Sequence, residues 1–523
     1  MSEENKLPPG WCWTALADIT VRIGDVDHKM PRAVESGIPY ISTKDFYGDN
    51  QIDFEGAKRI SPEDYTALTR KIIPEQGDIL LSRYGTIGEV RKVSTDAPFQ
   101  ASYSIAIIKT LHLPELVDYL LYALRSAGLQ EQMRRHIRAS SQPDLGLEYI
   151  RQLEISLAPL AEHQRIVAAI EQQFTRLDAG VAALKSAQTR LKRYRAAVLK
   201  AAVEGKLTEA WRAEHPDTEP ASVLLQRILA ERRARWGVDM RMKGKDPAKV
   251  RYEESAGPDT TDLPALPEGW CWASVEQLTN VVGGVTKGRN LAGRSTVELP
   301  YLRVANVQRG FLDLEIMKTI EVPTDEIDRY LLHEGDVVLT EGGDADKLGR
   351  AALWQGQIQP CIHQNHIFRA RLIDQRMPPQ WLVTYANSEQ GQAYFLEASK
   401  QTTNLASINL TQLRNCPVPL PSLVEQERII AEVERRLSVV SELEATVEAN
   451  LKRAERLRQS ILREAFAGRL VHQDPNDEPA SVLLERIRRE RATKQNKERV
   501  PVFIEARQVE RVAAEQVSLW DEE

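Results

Sequence analysis

Apolar residues recur at intervals of three and four in two long stretches of the chain, which is the spacing of one face of an α-helix. In the first stretch, from about Ala161 to Ala202, glycine and proline almost vanish. A narrow apolar stripe of this kind is typical of a coiled-coil seam. The predicted seam positions of the two stretches are Ile170, Phe174, Leu177, Val181, Leu184, Leu191, Tyr194 and Val198, then Ile430, Val433, Leu437, Val440, Val447, Leu451, Ala454, Leu457 and Ile461.

Two seams of equal length on one chain are buried most simply when they pack against each other. Roughly 40 helical residues at about 1.5 Å per residue make a rod of about 60 Å. We therefore predict an antiparallel coiled coil with a globular domain at each end and an approximate two-fold axis. In the alternative arrangement, each helix covers its own domain or pairs with another protein.

The remainder of each half has a different pattern. From Leu7 to about Pro159, short β-branched or aromatic runs such as IPYIS, DILLS and YSIAIIK are broken by glycine and proline. This pattern predicts a mixed sheet with a few helices. The predicted fold class is therefore α+β, with two similar mixed α/β domains separated by the two long helices.

The chain also repeats itself. LPPGWCWTALADIT from Leu7 returns as LPEGWCWASVEQLT from Leu266, and EPASVLLQRI from Glu219 returns as EPASVLLERI from Glu478. The offset between matching positions drifts only from 258 to 263, so each half is about 260 residues long. Internal symmetry of this extent indicates a tandem duplication with a pseudo-two-fold repeat.

The repeat divides the chain into predicted segments. We call residues 1–158 the first head and residues 264–421 the second head. Helical regions are predicted at 159–235 and 422–495, a flexible linker at 236–263, and a C-terminal tail at 496–523. Each head starts at a WCW motif, and its alternating tryptophans are predicted to close the core of the head, namely Trp11, Trp13, Trp270 and Trp272.

Composition narrows the function classes. The 523 residues carry 69 basic and 75 acidic side chains, a formal net charge of −6, so the chain is not a uniformly basic DNA-binding protein. No run of about 18 apolar residues and no signal sequence occurs, which predicts a cytoplasmic protein. The cysteines show no CxxC spacing, which argues against a zinc site and a disulfide framework; they are Cys12, Cys271, Cys361 and Cys416.

Catalytic motifs are missing from the sequence. It contains no Walker loop, no G-x-S-x-G elbow and no asparagine-proline-proline-aromatic signature of an adenine methyltransferase. His363 and His366 lie three residues apart beside Cys361, but the alternation of CIHQNHIFRAR predicts a strand. The two imidazoles would then face opposite sides, so we predict neither a metal site nor a catalytic residue.

Two similar but diverged heads at a fixed spacing suit a polymer with two-fold pseudo-symmetry, and duplex DNA is such a polymer. The heads differ where ISTKDFYGDN in the first corresponds to LRVANVQRGF in the second. Two unlike half-sites are therefore expected. Met1 to Leu160 carries 22 acidic against 18 basic residues, so we also expect low DNA affinity without a partner.

Several motifs resemble the specificity subunit of type I restriction-modification enzymes. They are GDILLSRYGTIG from Gly77 with GDVVLTEGGDADKLG from Gly335, HQNHIFRA from His363, and the helix starts LAEHQRIV and LVEQERII. The resemblance covers nearly the whole chain. It implies a non-catalytic subunit whose two target recognition domains each read one half of an asymmetric bipartite DNA site.

The same resemblance implies partners and cofactors. Two methyltransferase subunits are expected to dock on the helices, and restriction subunits can join the complex. S-adenosylmethionine, and ATP with Mg²⁺ for restriction, are expected in those partner subunits and not in this chain.

Candidate base-reading residues are polar and cationic side chains in loops beside the strands. Arginine can pair with guanine through two hydrogen bonds, and asparagine or glutamine with adenine. The same residue types also contact phosphates or stay solvated. The candidates are Thr43, Lys44, Arg83, Tyr84 and Thr86 in the first head, and Arg303, Asn306, Lys347, Arg350, Gln364 and Asn365 in the second.

Two other function classes stay open at this point. One is a coiled-coil protein-protein scaffold without DNA specificity. The other is a cleaving or modifying enzyme with a site that carries no recognisable motif. Divergence in loops between similar framework strands favours DNA recognition over the scaffold.

Overall fold

A computed structural model describes residues 7–28, 30–138, 143–343, 345–401 and 406–498. The chain forms two compact units, one from Met1–Leu184 with Ala449–Glu523 and the other from Lys185–Glu448. Each long helix contributes one part to each unit. Among the described residues, no helix is long and apolar enough to cross a membrane.

In the part of the first head that the structure describes, there are short strands and four α-helices. Its strands are β1 Cys12–Ala15, β2 Arg22–Gly24, β3 Ile38–Ile41, β4 Phe46–Tyr47, β5 Gln51–Ile52, β6 Lys58–Ile60, β7 Ile79–Ser82, β8 Val90–Lys92, β9 Gln100–Ala101, β10 Ile105–Lys109, β11 Ile137–Arg138, β12 Asp144–Leu145 and β13 Glu154–Leu157. Its helices are α1 Pro62–Thr69, α2 Pro114–Arg125, α3 Ala127–Arg135 and α4 Leu147–Arg151.

Two sheets organise the first head. One has the order β2-β10-β7-β8, and the other has the order β6-β3-β9, in which β3 and β9 are parallel. Strand β7 is buried on both faces, because Ile79 and Leu81 join the core cluster of α2 while Leu80 joins a second cluster with Tyr40 and Ile41. Period-two alternation thus places apolar residues in two cores at once.

After the first head the chain continues with α5 Leu160–Val203, α6 Glu209–Glu214 and α7 Ala221–Met242, and the second head follows in the sequence. Its strands are β14 Cys271–Ser274, β15 Thr279–Gly283, β16 Thr296–Leu302, β17 Lys318–Pro323, β18 Val337–Thr340, β19 Gly342–Gly343, β20 Ala351–Leu353, β21 Ile362–His363, β22 Ile367–Leu372, β23 Lys400–Gln401, β24 Ala406–Ser407 and β25 Pro417–Leu420. Its helices are α8 Val275–Leu278, α9 Ile327–Tyr330, α10 Gln380–Asn387, α11 Glu389–Ala398 and α12 Leu410–Arg414, and then come α13 Leu423–Phe466 and α14 Ala480–Glu498.

The second head repeats the topology of the first. Its sheets have the orders β15-β22-β18-β20 and β17-β16-β21. A buried ion pair is repeated as well: Lys109 lies 2.6 Å from Asp78 in the first head, and Arg371 lies 2.7 Å from Asp336 in the second. Equal strand orders with equivalent buried pairs confirm the predicted tandem duplication.

The two long helices have equal length and equivalent ends. Helices α5 and α13 have 44 residues each, close to the predicted limits. Gly205 and Gly468 follow them with φ of 67° and 68°, the left-handed conformation in which glycine meets no steric penalty. At the start of each helix a buried glutamate accepts a hydrogen bond from the first tryptophan of the WCW motif, Glu162 from Trp11 and Glu425 from Trp270.

The helices run antiparallel. Within the first unit Arg458 of α13 forms an ion pair with Asp178 of α5, and within the second unit Arg195 of α5 donates to Ser441 of α13 at 3.1 Å. Within the first unit alone, Ser156 just before α5 donates to the carbonyl of Phe466 at the end of α13, whereas Asp178 further along α5 contacts the earlier residue Arg458, so the two helices run in opposite directions there.

For two residues, the predicted position in the seam is wrong. Tyr194 and Leu457 are 47% and 49% exposed, whereas the other predicted positions are buried or half-buried. The buried heptad positions of α13 include Ala454 and Ile461, and the seam position between them belongs to Arg458, four residues after Ala454. Arg458 lies 4.4 Å from the ring centre of Phe174, so its stem and guanidinium fill the place predicted for Leu457.

The WCW motif needs a similar correction. Trp11 and Trp270 are buried as predicted, but Trp13 is 49% exposed and Trp272 is half-buried. In β1 it is Thr14 that faces the core, because Trp11 precedes the strand and turns inward to reach Glu162. Only the first tryptophan of each motif closes a core.

The predicted linker starts too early. Helix α7 continues through Met242, past the boundary predicted at residue 236. The segment that follows also makes contacts, since the ring of Tyr252 lies 5.1 Å from that of Trp236 and Ser274 donates to the carbonyl of Ala256 at 2.9 Å. Of the predicted C-terminal tail, residues 496–498 belong to α14, and 499–523 lie outside the described residues.

Candidate nucleic-acid interface

The strands bring the candidate loops of the first head to one end of its sheets. Gly24 at the end of β2 pairs with Ile107, and Ser82 at the end of β7 pairs with Ile105 at the start of β10. Residues 25–28, 83–89 and 102–104 therefore leave the sheet at the same end. The turn after β3, residues 42–45, joins them because Ser102 donates its backbone N–H to the carbonyl of Ile41 at 2.7 Å. We call these four segments the first interface.

The second head forms the equivalent surface. Gly283 pairs with Phe368 and Thr340 pairs with Ile367, so the loops after β15 and β18 and before β22 leave the sheet together. Gln364 donates its backbone N–H to the carbonyl of Leu302 at 3.0 Å, which adds the turn after β16. We call residues 284–295, 303–306, 341–343, 345–350 and 364–366 the second interface. The fold thus collects all the predicted base-reading residues on two equivalent surfaces.

Arg83 is the most constrained candidate, and its surroundings argue against the predicted base contact. It is 5% exposed, with one guanidinium nitrogen 2.8 Å from Asp25 and the other 2.9 Å from Asp144. Its Nε donates to the carbonyl of Leu145 at 3.1 Å. All three nitrogens of the Arg83 guanidinium group are hydrogen-bonded within the head. Arg83 therefore connects β12 and the loop after β2 to the end of β7 and does not reach outward.

Tyr84 belongs to an aromatic group on the surface of the first head. Its ring lies 4.4 Å from the guanidinium carbon of Arg83 and packs edge-on against His28 and Tyr103. His28 is exposed and stacks on Tyr103 with ring centres 4.8 Å apart. Aromatic faces held in this way can stack on bases or sugars. Sequence reasoning missed His28 and Tyr103, which lie in the loops that follow β2 and precede β10.

The turns after β3 and β16 are built alike but expose different residues. Asp45 and Asn306 are buried at equivalent positions, and each accepts a hydrogen bond from the backbone N–H three residues earlier. Asn306 also donates to the carbonyl of Asp313 at 2.8 Å, so its amide supports the turn and is not free to read adenine. Arg303 is half-buried and donates to the carbonyl of Ile316 at 2.7 Å. In the first head Lys44 is exposed and Thr43 is half-buried.

Position 341 distinguishes the two interfaces. Glu341 occupies the place of Arg83, and its carboxylate lies 2.6 Å from Nδ1 of the exposed His366. The amide of Asn365 lies 3.5 Å from the other nitrogen of the same ring. Gln364 and Asn365 are half-buried beside this pair. Thr86 in the first interface is exposed and is available to a ligand in the same way.

Arg350 and Lys347 lie in a polar cluster that includes an arginine missed by sequence reasoning. Arg350 donates to the carbonyl of Asp346 at 3.1 Å and to the amide oxygen of Gln308 at 2.8 Å. Arg309 donates to the same carbonyl at 2.9 Å, and burial together with the charge of Arg350 lowers the pKa of Arg309. Lys347 closes the short 3₁₀ turn from Ala345. Among the described residues, the cluster holds two guanidinium groups and the carboxylate of Asp346, which lies 2.5 Å from Arg350.

The histidines at the second interface make separate contacts. His363 is buried and bonds to the carbonyl of Ile367 at 2.8 Å, and burial lowers its pKa to about 4, whereas His366 is exposed and faces Glu341.

In the first head, Glu75, Asp78 and His112 present three potential metal ligands within 4.8 Å of one another. Lys109 lies 2.5 to 2.6 Å from both carboxylates of that group, and its ammonium already supplies the positive charge.

Comparisons with known proteins give one consistent family. A family model described as the type I restriction modification DNA specificity domain matches residues 11–184 and 267–453. The specificity subunit of the type I restriction enzyme EcoKI from Escherichia coli strain K12 is 24% identical over 503 residues, covering 93% of this chain and 97% of that protein. The specificity subunit of StySPI from Salmonella potsdam is 24% identical over 504 residues, covering 93% and 96%.

A solved structure is also similar to this chain. It comes from work on the structural basis of complex assembly and conformational transition of the type I R-M system. The match covers 89% of this chain and 99% of the chain in that structure. The TM-score is 0.54 at 20% sequence identity, which supports the fold.

Proposed function

Because this chain belongs to the type I restriction-modification DNA specificity family, we propose that each of its two heads reads one half of an asymmetric, two-part DNA site. The family match to both halves carries the conclusion that the chain is a DNA sequence-recognition subunit. Specificity subunits of this family are themselves non-catalytic. The scaffold alternative has no comparable support.

The contrast between the two interfaces supports unlike half-sites. The framework is shared, since the turns after β3 and β16 and the pairs at Asp78 and Asp336 are equivalent. The residues on the surface differ, with an aromatic group beside Arg83 in the first head and a histidine-glutamate pair at Glu341 in the second. A shared framework with different exposed chemistry is what two readers of different sequences need.

The exposed and half-buried candidates are the proposed DNA contacts. Arg83 and Asn306 act as supports for them, because both side chains are buried and bonded within the protein. The proposed contacts are Thr43, Lys44, Tyr84 and Thr86 at the first interface, and Arg303, Lys347, Arg350, Gln364 and Asn365 at the second.

The partners follow from the family. We infer that two methyltransferase subunits dock on the helical regions and that restriction subunits can join them. S-adenosylmethionine, and ATP with Mg²⁺, would then be bound by those subunits.

The test is to co-express the chain with its methyltransferase subunit and to map methylated adenines on genomic DNA by single-molecule sequencing. The expected result is one motif of two unlike parts with a constant gap. Replacing residues 1–158 with the first head of another specificity subunit should change one part of the motif and leave the other part and the gap unchanged. A folded complex that neither methylates nor binds DNA would refute the proposal.

A further inference from the structure

In both long helices, α5 and α13, the basic residues are concentrated in the C-terminal part. Between Lys185 and Lys200, α5 carries six lysines or arginines and no acidic residue. Between Lys452 and Arg463, α13 carries five basic residues and one acidic residue, Glu455. The first head, in contrast, has more acidic than basic residues, so cations for a phosphate backbone are scarce there.

Four of these arginines occur at matched positions of the repeat. Arg190 corresponds to Arg453, and Arg193 corresponds to Arg456, with the same offset of 263 that relates the two helix starts. All four are exposed, and within the described residues no ion-pair partner is found for any of them. We call them the outer arginines.

The arginines of the seam differ from the outer arginines. Arg195 lies 2.8 Å from Glu444, and Arg458 forms ion pairs with Asp178 and Asp49. These two side chains belong to the packing of the helices. The outer arginines take no part in it, so the helix pair does not explain why they recur.

Each pair of outer arginines forms a short cationic row. Two residues three positions apart on a helix differ by about 60° around the axis and about 4.5 Å along it. By the same geometry the outer arginines are turned about 80° to 140° from the buried seam residues Val198 and Ile461. Duplex DNA carries one phosphate per about 3.4 Å of axis on each strand, a spacing that two neighbouring arginines can meet.

In the first unit, this part of α13 reaches the head. Arg458 lies 2.9 Å from the carboxylate of Asp49, and Asp49 is in the turn between β4 and β5, shortly after Lys44 of the first interface. Arg456 is on the same turn of α13. Arg456 precedes Arg458 by two positions and is therefore turned about 160° from it around the helix axis, so the cationic row lies on the solvent side of α13.

From these observations we propose that Arg190, Arg193, Arg453 and Arg456 bind phosphates of the DNA, outside the bases that the heads read. This inference rests on the proposed DNA-recognition function. Phosphate contacts add affinity and hold the register but carry no base information. The outer arginines would thus provide affinity that the first head lacks.

The experiment uses the complex of the full chain with its methyltransferase subunit and a duplex that contains the mapped site. One variant carries Arg190→Gln, Arg193→Gln, Arg453→Gln and Arg456→Gln, and the matched control carries lysine at the same four positions. Affinity is measured from 50 to 300 mM salt, and complex assembly is measured by light scattering.

The glutamine variant should assemble normally, recognise the same motif and bind at least about tenfold more weakly, with a salt slope reduced by about 0.9 for each phosphate that is no longer neutralised. The lysine variant should keep the wild-type slope. An unchanged slope in the glutamine variant would overturn the inference. So would failure of the glutamine variant to assemble, because the arginines would then bind the partner protein. If the wild-type complex binds no specific DNA, the proposed function itself fails.

Discussion

The indole N–H of Trp270 donates a 2.8 Å hydrogen bond to the buried carboxylate of Glu425. The same carboxylate accepts from the hydroxyl of Thr208 at 2.7 Å and lies 2.5 Å from Arg212. One glutamate thus connects the start of the second head, the end of α5 and the start of α13 within the second unit. Its counterpart Glu162 accepts from Trp11 at 2.9 Å.

Replacing either indole donor should destabilise the corresponding unit. In Trp270→Phe the ring volume is largely kept, but the carboxylate of Glu425 loses a buried donor, which costs about 1–3 kcal/mol. Chemical denaturation of Trp270→Phe and Trp11→Phe measures the loss. Trp13→Phe is the control, because Trp13 is half exposed, and its substitution should change the free energy of unfolding by less. Equal losses for all three variants would contradict the assignment.

Glu162 should make stability depend on pH. Burial raises the pKa of its carboxyl, although the hydrogen bond from Trp11 opposes the shift. The unfolded chain therefore ionises first, near pH 4.3, and the stability contributed by this group is lost as pH rises through the higher folded pKa. Glu162→Gln keeps an acceptor for Trp11 and should remove this slope. The measurement is the difference in unfolding free energy between wild type and variant from pH 4 to 8.

Glu425→Gln is the matched comparison and should behave differently. It removes the charge that pairs with Arg212, whose side chain is 19% exposed. Leaving a largely buried arginine without its partner should cost about 3 kcal/mol at neutral pH. A thermal melt of the two glutamine variants side by side distinguishes them, and equal stability would show that the Arg212 pair contributes little.

Arg83 should determine the shape of the first interface. Arg83→Met leaves Asp25 and Asp144 without their cation, which should destabilise the first head by about 3–5 kcal/mol. Methylation mapping should then show relaxed or lost recognition of one half-site and normal recognition of the other. Lys44→Ala, an exposed change on the same surface, should weaken binding without destabilising the fold. If Arg83→Met keeps both stability and the motif, the supporting role is wrong.

Gly284 should be intolerant of a side chain because of close backbone approach. A Cβ at this position would lie 2.1 Å from the carbonyl oxygen of His363 and 2.4 Å from that of Gln364. Gly284→Ala must push β21 away and should cost about 2 kcal/mol or more, with impaired reading of the second half-site. Gly85→Ala is the control: it has φ of 71° but no atom within 4 Å, so it should cost only about 1–2 kcal/mol. Unfolding measurements on both variants check the order.

Gln364 and Thr86 should each affect one half-site only. Removing an amide that pairs with a base should reduce discrimination at that base pair by about 1–3 kcal/mol. Gln364→Ala should therefore relax one position of the second half-site, and Thr86→Ala should act only on the first. Competition binding with single-base variants of the site gives the measurement. A uniform loss of affinity for all sequences would instead identify phosphate contacts.

The sequence by itself determined the duplication, the two long helices and their ends, and the family. These features rest on local periodicity and on self-similarity, which need no knowledge of distant contacts. The spacing of apolar residues fixes a helix because residues three and four apart share a face. Gly205 and Gly468 marked the helix ends correctly because glycine readily adopts the left-handed conformation that follows a helix.

Tertiary structure alone decided which polar residues are free to act. Arg83 looks like a base reader in the sequence, but its partners Asp25 and Asp144 lie 58 and 61 residues away, and no local pattern reveals them. Likewise, Leu457 fits the helical period, yet Arg458 occupies the seam because Phe174 and Asp178 of another helix accept it there. Burial of a charge depends on whether the fold supplies its counter-charge, and that is settled only when distant segments meet.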